Sequence, residues 1–186
     1  MDYEPKEPGR HLIYLGLGSN LGRRAANLHA GLQLLQAAGL RIEVLSSVYE
    51  TVPWGGVEQP DFYNLVAAGS TELAPLDLLQ LAKSVEKTVG RKPGERWGAR
   101  VLDIDILLYD EILYEELTFS AQGLIIPHKE MYHRAFVLAP LLEIAPGVEL
   151  PGQPQSAAEL LAQLPPAERQ GVRPLGALVD LLEPIA

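Results

Sequence analysis

The sequence predicts an α+β fold in which helices pack on a layered sheet. Two observations predict it. Apolar residues alternate along some segments and recur at helical spacing along others, and glycines and prolines separate these segments. The predicted strands and helices do not follow each other as strict βαβ units, which disfavours a doubly wound parallel sheet. The length of 186 residues fits one domain with a sizeable core.

The N-terminal half contains three predicted strands and two predicted helices. The strands cover residues 12–18, 41–51 and 62–71. The helices cover residues 23–38 and 75–89, and each is followed by a glycine that can end it, Gly39 and Gly90. The first strand runs into a glycine turn, in which Gly16 and Gly18 let the chain turn tightly and pass close to another group. Residues 52–61, with two prolines and two glycines, form a loop.

The C-terminal half centres on an apolar strand at residues 100–110, reached through a loop at 91–100. A hairpin-like region up to Ile126, a turn at Pro127 and a short helix over Met131–Leu138 follow. In the tail, Ser156 and Glu159 have the spacing of a capping box for a brief helix. We expect the later prolines to limit further order.

Composition excludes several classes of function. The net charge of −9 disfavours broad nucleic-acid binding, which needs a basic surface. The absence of cysteine excludes disulfides, thiolate nucleophiles and sulfur-ligated zinc. No apolar run approaches the roughly 20 residues of a spanning helix, and the N-terminus lacks a signal-peptide pattern. We therefore expect a cytoplasmic protein without membrane contact.

Two carboxylates interrupt the apolar strand, at Asp103 and Asp105. Residues of equal parity share a strand face, so both aspartates point away from a face made of Leu102, Ile104, Ile106 and Leu108. Val101, Leu107 and Tyr109 share the aspartate face. Paired carboxylates with few other protein donors favour Mg²⁺, which takes further ligands from substrate phosphates. Alternatively, the aspartates pair with nearby arginines or lie on a solvated face.

A cluster of cations precedes this strand. Six of the fifteen Lys and Arg lie within eighteen residues, namely Lys83, Lys87, Arg91, Lys92, Arg96 and Arg100. Arg91, Arg96 and Arg100 can hold phosphate oxygens, and Trp97 offers a flat surface beside them. Together with the carboxylates they suggest a site for phosphoryl transfer on a small ligand. A solvated basic loop, with Trp97 used only for packing, is the alternative.

A second group of residues could hold a flat heterocycle. Trp54 and Phe62 could stack on its faces, while Thr51 and Asn64 could bond its polar edge. Core packing is the alternative for Phe62. The glycines in "GLGSNLG" do not match the dinucleotide-binding spacing G-x-G-x-x-G, and no P-loop motif occurs.

Four blocks of sequence resemble one known family. They are "YLGLGSNLG", "SSVYETVPWGGVEQPDFYNLV", "GRKPGERWGARVLDIDILLY" and "IPHKEMYHRAFVLAPLLEIAP", which span residues 14–146 in the family's order. The family is the 6-hydroxymethyl-7,8-dihydropterin pyrophosphokinases of folate biosynthesis. The resemblance implies a ferredoxin-like α+β sandwich, mainly antiparallel, with helices packed on the sheet. It also implies transfer of pyrophosphate from ATP to the pterin hydroxymethyl group, with release of AMP.

The resemblance also implies roles for individual residues. Asp103 and Asp105 would bind two Mg²⁺ ions between ATP and the pterin, and Arg91 and Arg100 would hold the triphosphate. The remaining residues expected around the nucleotide or on loops that close over it are Glu86, Arg96, Trp97, Ile106, His128, Lys129 and Arg134. Phe62 and Phe136 would stack on opposite faces of the pterin. The rest of the pterin pocket would be Thr51, Val52, Pro53, Trp54 and Asn64.

The expected organisation is an extension at residues 1–10, a pyrophosphokinase domain at 11–150 and a tail at 151–186 that packs on or trails the same domain. We expect a monomer that acts on ATP and hydroxymethyldihydropterin and binds no nucleic acid. Two other readings remain open. A two-metal phosphodiester nuclease would need a basic face outside residues 83–100, and a ligand-sensing module would bind nucleotide or pterin without turnover.

Overall fold

The structure is a computed structural model and describes residues 9–53, 59–91, 98–110 and 124–182. Within these ranges the strands are β1 His11–Ser19, β2 Arg41–Leu45, β3 Val48–Thr51, β4 Phe62–Thr71, β5 Asp103–Tyr109 and β6 Val172–Gly176. The α-helices are α1 Arg24–Ala37, α2 Pro75–Val89, α3 Ala135–Ile144, α4 Ala157–Gln163 and α5 Pro166–Gln170. None of the described helices is long and apolar enough to cross a bilayer.

The six strands form one antiparallel sheet, which confirms the predicted α+β class. The strand order is β5-β1-β4-β3-β6, and β2 also pairs with β4. Leu28, Leu32 and Leu35 of α1 join the core on one face of the sheet together with α2. Leu138 and Leu141 of α3 join the core on the other face together with α4. The sheet therefore has helices on both faces.

The predicted helix ends are confirmed. Gly39, in the left-handed region at φ 98°, follows α1, and the N–H groups of Gly39 and Leu40 donate to Gln36 and Leu35. This pair of bonds is the Schellman motif, which satisfies carbonyls at the end of a helix. Gly90, at φ 119°, ends α2 in the same region.

The single strand predicted over residues 41–51 is wrong, because β2 and β3 are separate. At the break, the Ser46 Oγ accepts the Val66 N–H at 2.9 Å. The Ser47 N–H and hydroxyl both donate to Glu143 of α3, at 3.0 and 2.8 Å. Side chains thus take up polar groups at the break, an arrangement that hydrophobic alternation does not signal.

The predicted glycine turn is also wrong. Gly16 and Gly18 lie within β1, which pairs with β4 continuously from His11 to Ser19. The second part of that prediction, close approach to another group, is confirmed for Gly18 by its contact with Asn64.

The helix predicted over Met131–Leu138 begins later and extends further. Met131–His133 form a 3₁₀ turn, Arg134 is extended, and α3 then runs from Ala135 to Ile144 with Pro140 inside it. The hairpin-like region predicted before Ile126 falls mostly on residues 111–123, which lie outside the described ranges.

The C-terminal tail is more ordered than its prolines suggest. The capping box is confirmed, because the Ser156 Oγ accepts the Glu159 N–H while Glu159 accepts the Ser156 N–H. The expectation that the prolines limit further order is wrong. Pro166 occupies the first turn of α5, where its missing N–H costs nothing, and β6 then pairs with β3.

Candidate functional site

A pocket of about 360 Å³ lies beside the core on the α3 and α4 face of the sheet, against the ends of several strands. Val66, Leu107 and Val137 belong both to this core and to the pocket wall. The polar and aromatic residues around it that were predicted from the sequence are Thr51, Phe62, Asn64, Arg91, Arg100, Asp103, Asp105, His128, Lys129, Arg134 and Phe136, with Val52 beside them. The fold thus gathers segments that lie far apart in the chain.

Strand β5 supplies both carboxylates on one face, as the parity argument predicts. Asp103 and Asp105 line the pocket, whereas Ile104 and Ile106 are buried in the opposite core. The parity fails beyond Ile106. Ile106 pairs with Leu15 and Leu108 with Tyr14, so Leu107 is the extra residue of a bulge. After this bulge Leu108 joins the pocket-side core and Tyr109 the opposite one, which corrects the predicted faces of both residues.

Arg91 connects the first aspartate to helix α2. Its Nη1 donates to the Asp103 Oδ1 at 2.6 Å and also to Glu86. Glu86 is 1% exposed, and its Oε1 accepts the Lys83 ammonium and the Ile104 N–H, each at 2.8 Å. Three protein donors therefore surround the Glu86 carboxylate, which joins two pocket cations to the start of β5.

The second aspartate has a different environment. Its Oδ2 lies 4.0 Å from the Nε2 of His128, whose Nδ1 accepts the Glu130 N–H at 3.3 Å. Burial and the neighbouring Asp103 carboxylate raise the pKa of Asp105. Burial lowers the pKa of His128, although the charge of Asp105 acts against this shift. A cationic ligand bound here would offset both the cost of burying the Asp105 charge and its repulsion by Asp103.

The other end of the pocket is aromatic and amide-lined. Phe62 begins β4, Phe136 lies in the first turn of α3, and both contribute to the wall. The Asn64 Nδ2 donates to the Thr51 Oγ1 at 2.7 Å, and both side chains are buried. This bond leaves the Thr51 hydroxyl hydrogen and the Asn64 Oδ1 as a donor and an acceptor for a ligand edge.

Asn20 is a site residue that sequence reasoning missed. Its side chain accepts the Arg100 N–H at 2.6 Å and donates to the Gln59 Oε1 at 3.1 Å and the Pro60 carbonyl at 3.0 Å. It thus joins the cation-rich segment to the segment before Phe62. The signal in the sequence was its place in "GLGSNLG", where a polar residue directly follows a predicted strand. In the structure Asn20 is 2% exposed.

The remaining predicted site residues are not all brought to the pocket. Ile106 has its side chain in the core on the far side of the sheet, Glu86 lies behind Arg91, and Pro53 follows Val52 at the rim without lining the pocket. Trp54, Arg96 and Trp97 lie outside the described residues. Their predicted contacts with substrate stay predictions.

The donor set suits a magnesium ion that takes some ligands from the protein and the others from the substrate. The side chains of Asp103 and Asp105 are 35% and 37% exposed and point into the pocket. Within the described ranges, no group of three or more His, Asp or Glu is arranged to hold a metal. Hard oxygen donors that leave coordination positions open are typical of Mg²⁺ bound with phosphates.

The chain is similar to known proteins over most of its length. Residues 14–146 match the model of the family described as 7,8-dihydro-6-hydroxymethylpterin-pyrophosphokinase. A 2-amino-4-hydroxy-6-hydroxymethyldihydropteridine pyrophosphokinase of Methylorubrum extorquens is 43% identical over 155 residues, which are 83% of this chain and 94% of the relative. The enzyme of the same name from Bacillus subtilis is 41% identical over 140 residues, 75% of this chain and 81% of the relative.

Solved structures share the fold at lower identity. The Plasmodium falciparum HPPK-DHPS chain crystallised with pteroate superposes with a TM-score of 0.64 at 18% identity. The match covers 86% of this chain and 44% of that one, so this chain spans less than half of that solved protein.

Proposed function

The chain belongs to the 7,8-dihydro-6-hydroxymethylpterin-pyrophosphokinase family, and we propose that its pocket carries out that family's reaction. The protein transfers pyrophosphate from ATP to the hydroxymethyl group of 6-hydroxymethyl-7,8-dihydropterin, a step of folate biosynthesis. It is a 2-amino-4-hydroxy-6-hydroxymethyldihydropteridine pyrophosphokinase. The observation that carries the assignment of the site is one pocket with paired carboxylates and arginines at one end and two phenylalanines at the other.

The chemistry is an in-line displacement at the β-phosphorus of ATP. The hydroxymethyl oxygen forms the new bond to this phosphorus, and the bond from the β-phosphorus to the oxygen that bridges to the α-phosphorus breaks. AMP leaves with the electron pair, and the hydroxyl proton is released. Because charge grows on the transferring and leaving groups, Arg91 and Arg100 contribute most by stabilising the transition state.

We further propose that Asp103 and Asp105 hold two Mg²⁺ ions. When bound, the metal would neutralise phosphate charge and orient the nucleophile. The nearby cations have two further roles. Arg91 fixes the orientation of Asp103 through their 2.6 Å contact. Lys129 and Arg134, which line the same pocket, bind phosphate oxygens together with His128.

The pterin binds at the aromatic end, between Phe62 and Phe136. Stacking on two rings buries the faces of the heterocycle, and the hydrogen-bonded pair Thr51 and Asn64 recognises its edge. The 2.7 Å bond between these two side chains fixes their orientation before substrate arrives, which lowers the entropy lost on binding. Val52 and Pro53 lie at the rim.

Release of AMP tests this function directly. The purified protein is incubated with ATP, Mg²⁺ and hydroxymethyldihydropterin, and nucleotide products are separated by chromatography. We expect AMP and pterin diphosphate in equal amounts, and no AMP when the pterin is omitted. ADP in place of AMP would indicate a simple kinase, and pterin or ATP binding without any product would indicate a sensing module.

The wider organisation is also part of the proposal. Residues 11–150 form the catalytic domain, residues 1–10 an extension and residues 151–186 a tail on the same domain. The protein acts as a monomer in the cytoplasm. Size-exclusion chromatography with light scattering would measure its oligomeric state. The net charge of −9 supports small-molecule substrates over nucleic acid.

Substitution of Gly18 is expected to weaken pterin binding. A Cβ at this position would lie 2.8 Å from the Asn64 Oδ1, so the Asn64 side chain would have to move, which would disturb its bond to Thr51. Gly18→Ala should raise the KM for pterin by about tenfold, the equivalent of one lost hydrogen bond, and leave the KM for ATP nearly unchanged. Steady-state kinetics with each substrate varied in turn would measure this.

Gly16→Ala is the matched control. The atoms nearest to its Cβ would be those of the Leu107 side chain, at 3.4 Å or more, which is ordinary contact. Equal KM values for pterin in the two variants would contradict the role given to the Gly18 contact.

A further inference from the structure

We propose that the C-terminal strand β6, together with the end of α5 that leads into it, positions the pterin end of the pocket, with Arg173 and Gly171 as the positioning residues. This strand lies beyond residues 14–146, the part of the chain matched by the family model. The inference rests on the proposed function, because it assigns the tail a part in binding the pterin. Three separate contacts carry it.

The first contact is the pairing of β6 with β3. Strand β3 has four residues and lies between β4 and β6. Its last residue, Thr51, is opposite Phe62 on β4 and opposite Val172 on β6. Both Thr51 and Phe62 line the pocket. Because so short a strand has few bonds of its own, the β6 ladder limits how far the Thr51 backbone can move.

The second contact is a chain of charged groups across the strands. Arg173 of β6 pairs with Glu50 of β3, and Glu50 also meets Arg24 of α1 at 3.3 Å. Arg24 donates to the Asp61 carbonyl at 2.7 Å and lies 3.6 Å over the Tyr63 ring. Asp61 and Tyr63 flank Phe62. The chain therefore connects the tail to both neighbours of the stacking ring.

The third contact is between the end of α5 and the pocket rim. A Cβ on Gly171 would lie 3.3 Å from the Val52 Cγ2 and 3.2 Å from the Ala167 carbonyl. Val52 lines the pocket and is otherwise 62% exposed. Gly171 thus leaves Val52 room at the pocket rim, and a larger residue would displace Val52 from its present position.

Arg173→Ala and Gly171→Val test the proposal kinetically. Arg173→Ala should raise the KM for pterin by about fivefold, because an exposed ion pair contributes up to about 1 kcal/mol. Gly171→Val should raise the same KM by crowding Val52. The kcat and the KM for ATP should stay within about twofold, a split that general destabilisation would not produce. Arg169→Ala is the matched control, since Arg169 is an exposed arginine of the same tail that donates to Leu164. It should behave as the wild type.

Hydrogen exchange measured by mass spectrometry gives a readout that needs no substrate. Arg173→Ala should speed exchange in the peptides that contain Thr51 and Phe62, while Arg169→Ala should not. If the wild type releases no AMP, the proposed function fails. The exchange measurement still tests whether β6 restrains the segments that contain Thr51 and Phe62. Wild-type KM for pterin together with unchanged exchange in both tail variants would overturn the inference, as would equal rises in the KM values for pterin and ATP.

Discussion

Asp103→Asn and Asp105→Asn are each expected to lower the rate of AMP release by about 10³-fold while the protein stays folded. Both carboxylates face the pocket and are about one third exposed, so neither change opens a cavity in the core. The amide cannot supply the charge that holds a divalent metal. Loss of that metal removes several kcal/mol of transition-state stabilisation, about three powers of ten in rate.

The two variants should differ in stability. Asp105→Asn removes a carboxylate whose pKa is raised by burial and by Asp103, so it should leave stability unchanged or raise it slightly. Asp103→Asn weakens a 2.6 Å contact with Arg91 and should lower stability slightly. Thermal unfolding of both proteins would measure this.

Asp110→Asn is the control directly after the same strand. Asp110 follows β5 at the end opposite Asp103, where it binds His11 at 2.6 Å and the Leu12 N–H at 2.8 Å. It should retain wild-type turnover. If Asp103→Asn or Asp105→Asn kept near-full activity, the metal assignment would be wrong.

Much of the fold was predictable because the signals are local. Strand β4 and helix α2 have the predicted bounds, since apolar periodicity and the flanking Pro75 and Gly90 all act within the segment. The errors arise where contacts with residues far away in the chain determine the local structure. The break between β2 and β3 depends on Glu143, which lies 96 positions from Ser47, and the bulge at Leu107 depends on the register with β1.

The site residues also divide into those that local sequence identifies and those that depend on distant contacts. The chemistry of Asp103 and Asp105 could be read from residue type and strand parity, because both are properties of β5 alone. Asn20 was missed because its three partners come from other segments of the chain. Likewise, the sequence gives no sign that the Glu86 carboxylate is enclosed by protein donors, since that requires the position of β5 beside α2.

Glu86→Gln is expected to impair catalysis through Arg91. The substitution keeps the shape of the side chain but removes the charge that Arg91 and Lys83 meet in a site that is 1% exposed. Loss of this charged acceptor should lower the free energy of unfolding by about 2 kcal/mol, because Lys83 is half exposed and Arg91 still meets Asp103. Arg91 then keeps, among the described residues, its hydrogen bond to Asp103 but loses the one to Glu86, and with it the fixed position beside the triphosphate. The kcat should therefore fall by more than about tenfold, with a smaller change in the KM for ATP.

A double-mutant cycle distinguishes this role from direct nucleotide binding. If Glu86 acts by positioning Arg91, the catalytic losses in Glu86→Gln and Arg91→Ala will not add in the double variant, because the two residues share one interaction. Lys87→Gln serves as the control, since Lys87 is the exposed neighbour of Glu86 on α2 and should leave kcat unchanged. Additive losses in kcat, or a loss confined to the KM for ATP, would instead place the Glu86 carboxylate against the nucleotide, which would require it to leave the Ile104 N–H it now accepts.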